Sequence, residues 1–220
     1  MKIQRIASAA PISPYAPSWD FSIGNTVIES INLKELAKTI LRKEKEIKRL
    51  ELSYTDNGNV FDGYTGLGAN STTSRSNSYN LLSWNTQETN QLMEKIRENV
   101  INYNMALQNK VPSQLWVQCW VNVLRFRQRI KPHLHAIDPK CYLSGHFAVQ
   151  CENTSTVYIS PVNQINDPYE IKVDNKPGSM TIFPSYVPHY TTTHYSFKPR
   201  ITIAFDLSLD KTRENFVELL

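Results

Sequence analysis

The pattern of apolar and polar positions changes character near Pro112. Before it, two stretches carry apolar residues at the three-to-four-residue spacing of an amphipathic helix, at about 30–52 and about 86–108. Asn32 or Ser30 can cap the first of these stretches. The apolar positions of the two stretches are Leu33, Leu36, Ala37, Ile40, Leu41, Ile47 and Leu50, and then Leu92, Met93, Ile96, Val100, Tyr103 and Leu107. Two helices are therefore predicted in the first half of the chain.

After Pro112, short runs rich in β-branched and aromatic residues alternate with turn residues, which is typical of strands. Eight short strands at this spacing predict a sandwich or jelly roll. The predicted strands lie near 116–126, 129–137, 142–150, 155–160, 169–173, 179–183, 189–195 and 199–207.

Two segments of the first half lack a helical pattern. Residues 1–20 contain Pro11, Pro14 and Pro17, which predicts an extended arm with room for a short strand. Residues 55–79 are polar and hold four of the seven glycines, so they predict a long loop. A loop of this length is a candidate substrate lid. Its glycine spacing does not match a phosphate-binding loop.

The composition is that of a globular protein, with 40% hydrophobic and 20% charged residues. No apolar run approaches the length of a transmembrane helix, and the first residues lack the apolar core of a signal peptide. The expected location is therefore cytoplasmic, without a membrane partner. The three cysteines, Cys119, Cys141 and Cys151, have no CxxC spacing and are expected to be reduced.

The net charge of +4 permits an acidic partner without requiring one. The polar face of the first predicted helix concentrates basic side chains among acidic ones. An ordinary solvated face with ion pairs four residues apart explains this pattern, and a polyanion-binding face is the alternative. The basic residues are Lys34, Lys38, Arg42, Lys43, Lys45, Lys48 and Arg49.

The candidate chemistry lies in the second half of the chain, which contains all five histidines. On a strand, His133 and His135 would point to the same face, because side chains alternate with a period of two. His189, from a later strand, could supply a third ligand to a divalent ion. Three protein ligands with open positions are typical of a catalytic metal site. His146 and His194 are interpreted as ordinary polar or core histidines.

Arg200 begins a strand whose alternate residues, starting at Ile201, are apolar. Arg200 and Thr202 would then share the opposite face, which points into the barrel. A buried cation must be paired, and a carboxylate-bearing ligand is one natural partner. The other interpretation is a rim arginine in a salt bridge with Asp206 or Asp210.

The order of these motifs resembles the Fe(II)/2-oxoglutarate-dependent oxygenase superfamily, and more narrowly a branch common in marine bacteria and their phages. The resemblance covers about residues 112–208. Its motifs, in chain order, are Trp120-Val-Asn122, His133-Leu-His135, Ser144-Gly145, Phe183-Pro-Ser before His189, and Arg200-Ile-Thr202.

The resemblance implies a mainly β fold, a double-stranded β-helix (jelly roll) with supporting N-terminal α-helices. It implies one domain over 1–220, in which 1–111 hold the arm, two helices and the loop, and 112–208 form the catalytic core. It implies iron held by His133 and His189. It further implies 2-oxoglutarate as a small-molecule cosubstrate whose distal carboxylate is bound by Arg200 and Thr202, with ascorbate as an additional reductant.

This sequence departs from the usual facial triad, in which a carboxylate stands where His135 stands. Either His135 ligates the metal, or Asp138 reaches it, or a water completes the site. His135 is the preferred ligand here, and Asp138 fits a turn-capping role. Tyr142 is a candidate hydrogen-bond partner for the cosubstrate.

Two other classes of protein compete with this interpretation. A cupin-type metalloprotein would use a different reaction, but the stretch before His189 lacks the second cupin motif and Arg200 would have no role. A non-enzymatic viral jelly-roll binding module would make the histidines incidental. For an oxygenase, the primary substrate stays open among a protein side chain, a nucleic acid and a small metabolite.

Overall fold

The structure is a computed structural model that describes residues 1–10, 13–55, 57–136, 138–161 and 167–220. Parts of three predictions lie outside the described residues: 11–12 of the predicted arm, Asp56 of the predicted loop and Ile137 at the end of the second predicted strand.

Two helices lie close to the predicted positions. Helix α1 spans Leu33–Ile47, and Asn32 caps it by accepting from the backbone N–H of Glu35. Helix α2 spans Gln87–Ala106. The spacing of Asn85 and Glu88 predicts a capping box at the start of α2, but the structure places the cap one residue later. Thr86 is the cap and exchanges hydrogen bonds with Thr89; Asn85 instead adopts a left-handed conformation with φ 53°.

The described residues form ten strands. They are β1 (Lys2–Ala7), β2 (Asp20–Val27), β3 (Trp116–Leu124), β4 (Cys141–Gln150), β5 (Ser155–Ile159), β6 (Glu170–Asp174), β7 (Ser179–Pro184), β8 (His189–Thr191), β9 (Arg200–Ser208) and β10 (Val217–Glu218). Seven of them correspond to predicted strands, and three, β1, β2 and β10, lie nearer the ends of the chain. The N-terminal segment was predicted as an extended arm with room for a short strand. It contains strand β1, which pairs antiparallel with β2.

Two sheets face each other. The larger has the order β1-β2-β7-β4-β9-β3-β10, and the smaller has the order β6-β5-β8. Strand β9 lies in the middle of the larger sheet, paired antiparallel with β4 on one side and β3 on the other. The predicted fold class is confirmed: the chain is mainly β, with a jelly-roll core and few helices.

The alternation of side chains along β9 separates the core from the inside of the barrel. Ile201, Ile203 and Phe205 are fully buried in the main apolar cluster, which also contains the apolar faces of both helices. Arg200 and Thr202 alternate with them and face a cavity between the two sheets. The helices thus cover one face of the larger sheet and leave the other face for the site.

Described residues 129–136 do not form the strand predicted at 129–137, which corrects the setting proposed for His133 and His135. The segment runs beside β8 with a single antiparallel bridge between His133 and His189. The ladder does not continue, because the Lys131 N–H donates to the Thr65 carbonyl at 2.8 Å and not to β8. Two further contacts replace the ladder: Thr191 N–H donates to the Ile130 carbonyl at 3.1 Å, and Ile130 N–H donates to the Thr191 hydroxyl at 2.9 Å.

The predicted loop at 55–79 ends in a 3-10 helix at Thr73–Ser78, and a second one follows at Leu81–Trp84. The loop is anchored to β3, since Thr72 Oγ1 donates to the Val121 carbonyl at 2.6 Å and Thr73 Oγ1 to Asn122 Oδ1 at 2.6 Å. Among the helices of the described residues, none combines the length and apolar character that a bilayer crossing requires.

Candidate active site

Three histidines from two segments converge on one point. His133 and His135 come from the segment beside β8, and His189 begins β8 itself. One ring nitrogen from each lies within 4.8 Å of the others. The Nε2 atoms of His133 and His135 are 3.2 Å apart. The loss of the predicted strand therefore does not separate these side chains, because the bridge to His189 fixes the segment.

The outer nitrogen of each ring has its own acceptor. His133 Nδ1 lies 2.9 Å from the Lys131 carbonyl, and His189 Nδ1 lies 3.0 Å from the Val187 carbonyl. His135 Nδ1 lies 2.6 Å from Asp206 Oδ1. A carbonyl only accepts, so the Nδ1 atoms of His133 and His189 carry the proton, and the carboxylate favours the same tautomer for His135.

Each neutral ring then directs the lone pair of its Nε2 inward. Two lone pairs that face each other at 3.2 Å repel unless a cation lies between them. A metal with nitrogen ligands at about 2.1 Å, placed at right angles, would separate them by about 3.0 Å. The donor set thus fits a divalent transition metal.

Burial and neighbouring charges keep the rings of His133 and His189 neutral. Burial lowers the pKa of His133 to about 4, and the neighbouring His135 adds to the shift. Burial also lowers the pKa of His189 well below its usual range, with further contributions from the other two rings. Both imidazoles are therefore unprotonated at neutral pH, which metal ligation requires.

Asp206 is the residue at this site that the sequence interpretation missed as a functional candidate. It accepts from His135 Nδ1 and also from Ser144 Oγ at 2.7 Å, and Ser144 Oγ lies 3.0 Å from Ser185 Oγ. The alternation along β9 could have revealed it, because Asp206 lies on the same face as Arg200 and Thr202.

Two other candidates lie elsewhere. Asp138 is in a turn, where its Oδ1 accepts from the Lys140 N–H at 2.7 Å, and it lines a separate surface pocket. This is the turn role that its position predicted. Tyr142 does not reach the cavity: its hydroxyl donates to Asn104 Oδ1 at 2.6 Å, so its suggested cosubstrate contact is wrong.

Arg200 is buried at the other end of the same cavity, with 1% of its surface exposed. Its Nε donates to Thr154 Oγ1 at 3.2 Å and one terminal nitrogen to Thr202 Oγ1 at 3.4 Å. With the Asn175 amide oxygen turned towards it, the other terminal nitrogen donates to that oxygen at 3.1 Å.

All these partners of Arg200 are neutral. Within the described ranges Arg200 forms no ion pair, so the salt bridge to Asp206 or Asp210 considered above is not made. Burial lowers the pKa of the guanidinium. A buried cation held only by neutral oxygens is costly, and an anionic ligand would offset that cost.

His146 is a buried polar histidine, as predicted, and it also lines the cavity. It lies on β4, and its Nε2 is 3.2 Å from the Tyr158 hydroxyl. Its buried Nδ1 has no hydrogen-bond partner among the described residues. Burial lowers the pKa of His146 to about 3, and the charge of Arg200 contributes. His194, by contrast, does not line the cavity, and its Nε2 lies 2.6 Å from the Lys198 carbonyl.

The long loop forms another wall of the cavity. Phe61 and Tyr64, with ring centroids 5.5 Å apart, line it together with Thr73 and Asn77. Tyr64 has φ 60°, an unfavourable conformation for a residue with a side chain. Arg213 lines the same cavity from the C-terminal segment.

Comparison with known proteins bears on these features. Residues 118–206 match the family described as "Putative 2OG-Fe(II) oxygenase", which is less than half of the chain. The matched range contains His133, His135, His189 and Arg200. No curated protein matches the chain.

Solved structures with the same fold include a prolyl-4-hydroxylase from Pseudomonas putida, 12% identical, with a TM-score of 0.53 over 84% of this chain and 91% of that one. A prolyl hydroxylase from Trichoplax adhaerens, in complex with a hypoxia inducible factor peptide, is 13% identical, with a TM-score of 0.58 over 87% and 84%. The epimerase SnoN from nogalamycin biosynthesis, solved with Fe3+ and alpha ketoglutarate, is 10% identical, with a TM-score of 0.52 over 90% and 94%. At these identities the likeness shows the fold.

Proposed function

We propose, from the premise that this chain belongs to the 2OG-Fe(II) oxygenase superfamily, that His133, His135 and His189 hold its iron and that Arg200 holds its cosubstrate. The chain is an Fe(II)- and 2-oxoglutarate-dependent oxygenase. The observation that carries the residue assignment is one cavity with three inward-facing imidazole nitrogens and, at its other end, a buried arginine without an acidic partner in the described residues.

The three imidazoles supply neutral ligands and leave other metal positions open. Bound iron with 2-oxoglutarate and O₂ would supply the oxidising power, and 2-oxoglutarate would leave as succinate and CO₂. A histidine in place of the usual carboxylate leaves the metal with one more positive charge. Asp206, whose Oδ1 lies 2.6 Å from His135 Nδ1, supplies a compensating negative charge behind this ligand. The same hydrogen bond fixes the orientation of the His135 ring.

Arg200 would bind the distal carboxylate of 2-oxoglutarate as a planar fork, assisted by the Thr202 hydroxyl 3.4 Å away. Thr154 and Asn175 hold the guanidinium in place from the side. The unpartnered Nδ1 of His146 provides a further hydrogen-bonding position on the cavity wall.

The loop at 55–79 is proposed as the lid over the primary substrate. Its Thr72–Thr73 end is fixed to β3, while Tyr64, on the cavity wall, is 64% exposed. Closure of such a loop excludes water from the reacting groups.

The broader placement is also proposed. The order of motifs from Trp120 to Arg200 supports the branch found in marine bacteria and phages. None of the three cysteines, all within the described ranges, forms a disulfide. This supports a reducing compartment, the cytoplasm.

The test of this assignment is anaerobic. The parent protein should bind one Fe(II) and, with 2-oxoglutarate, develop the visible absorption band of the chelated complex. Arg200→Ala should retain iron and lose about two to three orders of magnitude in 2-oxoglutarate affinity, because unpairing a buried ion pair costs roughly 3–5 kcal/mol. Arg200→Lys should restore only part, since a point charge lacks the fork.

Arg213→Ala is the matched control, because it removes a cation that lines the same cavity. Its 2-oxoglutarate affinity should equal that of the parent. His133→Ala and His189→Ala should lose the metal itself. Unchanged 2-oxoglutarate binding by Arg200→Ala, measured by calorimetry, would contradict the cosubstrate assignment, and unchanged metal binding by the histidine variants would contradict the metal site.

A further inference from the structure

Three aromatic side chains are exposed together next to the segment that leads to His133. Phe126 and Phe197 are stacked, with ring centroids 4.9 Å apart and planes inclined by 12°. Tyr195 packs edge-on against Phe126 at 6.3 Å. Phe126, Tyr195 and Phe197 are 39%, 70% and 88% exposed. These three side chains are here called the aromatic cluster. Because the rings are largely exposed to solvent, they contribute little to the stability of the fold, and their position needs another explanation.

The backbone holds this cluster in place. The Arg127 N–H donates to the His194 carbonyl at 2.7 Å, and the His194 N–H donates to the Gln128 carbonyl at 3.0 Å. Arg127 has φ 65°, a left-handed conformation that is unfavourable for a residue with a side chain. Two chain segments are thus fixed against each other, with their aromatic side chains directed to solvent.

Cations surround the aromatic cluster. The Arg127 guanidinium lies 5.3 Å from the centroid of the Phe126 ring. Arg125 shares the buried carboxylate of Glu44 with Lys48, at 2.6 Å and 2.9 Å respectively. This carboxylate joins the aromatic cluster to the C-terminal end of α1.

The end of α1 extends the positive charge. Lys45 and Arg49 are exposed there, and in the described part of the chain neither forms an ion pair. Three acidic side chains are engaged in ion pairs: Glu44 as above, Glu46 with Lys43, and Glu152 with Lys198. Glu51, two residues after Arg49, is exposed and forms no ion pair in the described residues. Lys45, Arg49 and Arg127 outnumber it, so the surface carries net positive charge beside exposed ring faces.

We propose that this surface, made of the aromatic cluster, Arg127, Arg125 and the basic end of α1, binds single-stranded nucleic acid. Bases would stack on the open ring face of Phe197 while phosphates approach the cations, which is how sequence-tolerant single-strand sites are built. An acidic peptide would complement the positive charge, but unlike a nucleic acid it has no planar base at each position to stack on the rings. A lipid surface requires side chains that insert, whereas here the rings are stacked on each other.

The site is separate from the iron ligands, so it can be tested without turnover. The probes are fluorescein-labelled dT20 and U20 oligonucleotides, with fluorescence anisotropy measured in 50 mM NaCl and over a salt series. Phe197→Ala should weaken binding about tenfold or more, the effect of removing one stacking ring, and should leave the salt dependence unchanged. Arg127→Asn, which tolerates the left-handed conformation, should weaken binding and make the slope of log affinity against log salt shallower by about 0.7.

The controls are Tyr15→Ala, which removes an aromatic side chain that is 93% exposed, and Lys110→Gln, which removes an exposed cation outside the surface. Both should bind as the parent does. Circular dichroism and thermal unfolding should show that all variants fold, which is expected because the altered side chains are on the surface.

Three results would overturn the proposal. The first is a parent protein that raises no anisotropy with either oligonucleotide. The second is binding that Phe197→Ala leaves unchanged, since this would reduce the effect to general attraction of polyanions. The third is Phe197-dependent binding of a polyglutamate peptide, or of phosphatidylserine vesicles, that equals or exceeds oligonucleotide binding. Iron and 2-oxoglutarate binding should be equal in parent and variants, so failure here leaves the oxygenase assignment untouched.

Discussion

Asp206 is the hydrogen-bond acceptor that fixes the orientation of the His135 ring, which also stacks on Trp120. Its Oδ1 accepts from His135 and from Ser144, so it is held on two sides. Asp206→Ala should lower metal affinity about 10- to 100-fold, because the ring would lose the acceptor that fixes its tautomer. A Co(II) titration followed by visible absorption measures this.

Asp138→Ala is the matched control, since it removes a carboxylate three residues after His135 in the chain. Its Co(II) affinity should not change, because Asp138 holds a turn at Lys140. A larger effect from Asp138 than from Asp206 would reverse the assignment of the two carboxylates.

Sequence patterns located side chains on strands better than those on irregular segments. The alternation along β9 correctly predicted that Arg200 and Thr202 face inward, and continuing it by two more steps, past Ala204, reaches Asp206. The partners of Arg200 could not be predicted, because Thr154 and Asn175 come from segments whose contact with β9 depends on how the two sheets pack. The same holds for the contact of His135 with Asp206, whereas the Nδ1 acceptors of His133 and His189 are carbonyls two residues earlier in the chain.

At the scale of elements, Glu44 ties helix α1 to the segment after β3. Burial acts to raise the pKa of Glu44, but the hydrogen bonds and charges of Lys48 and Arg125 outweigh it, so the pKa lies below its usual 4.5. A lowered folded-state pKa stabilises the fold above the unfolded pKa, and this contribution disappears as the pH falls through the folded value.

Glu44→Gln should therefore lower the free energy of unfolding by about 1–3 kcal/mol at pH 7, the usual range for a hydrogen-bonded charged group. The difference from the parent should shrink as the pH falls below 4. Urea unfolding at both pH values measures it. Glu35→Gln, which breaks an exposed pair with Lys38 at 3.6 Å, should change stability by less than about 1 kcal/mol.

The segment at 129–137 shows where element prediction fails. Its composition is that of a strand, and it does lie beside β8, but the Lys131 N–H donates to the Thr65 carbonyl in the long loop, a contact that no local pattern predicts. The helices were predicted to within a few residues, because their apolar stripes pack on the larger sheet and so follow the 3.6-residue period.

At the scale of the whole molecule, ligands that bind only the folded state should raise its stability. Mn(II) should raise the unfolding temperature of the parent, and 2-oxoglutarate added with Mn(II) should raise it further. Arg200→Ala should respond to Mn(II) alone, and His189→Ala to neither. Differential scanning fluorimetry in air is sufficient, because Mn(II) replaces Fe(II) without turnover. A 2-oxoglutarate response in the His189 variant would show a second binding mode.

The jelly roll as a whole was predictable from short strands at regular spacing, whereas the sheet order was not. Strand β2 from the N-terminal part pairs with β7, and β10 at the other end pairs with β3. These pairings join residues far apart in the chain, and no local pattern encodes them.

Strand β9 carries both Arg200 and Asp206, the first at the cosubstrate end of the cavity and the second beside His135. The strand is held between β4 and β3, so the six-residue interval, roughly 20 Å of extended backbone, is a rigid length. Because this interval is fixed, the distance between the cosubstrate end of the cavity and the metal ligands is fixed too, and only a keto diacid of matching length can reach both. Oxaloacetate, one carbon shorter, and 2-oxoadipate, one carbon longer, should each support much slower CO₂ release than 2-oxoglutarate. Equal rates for all three keto acids would mean that the distance between the Arg200 end and the Asp206 end of the cavity is not fixed.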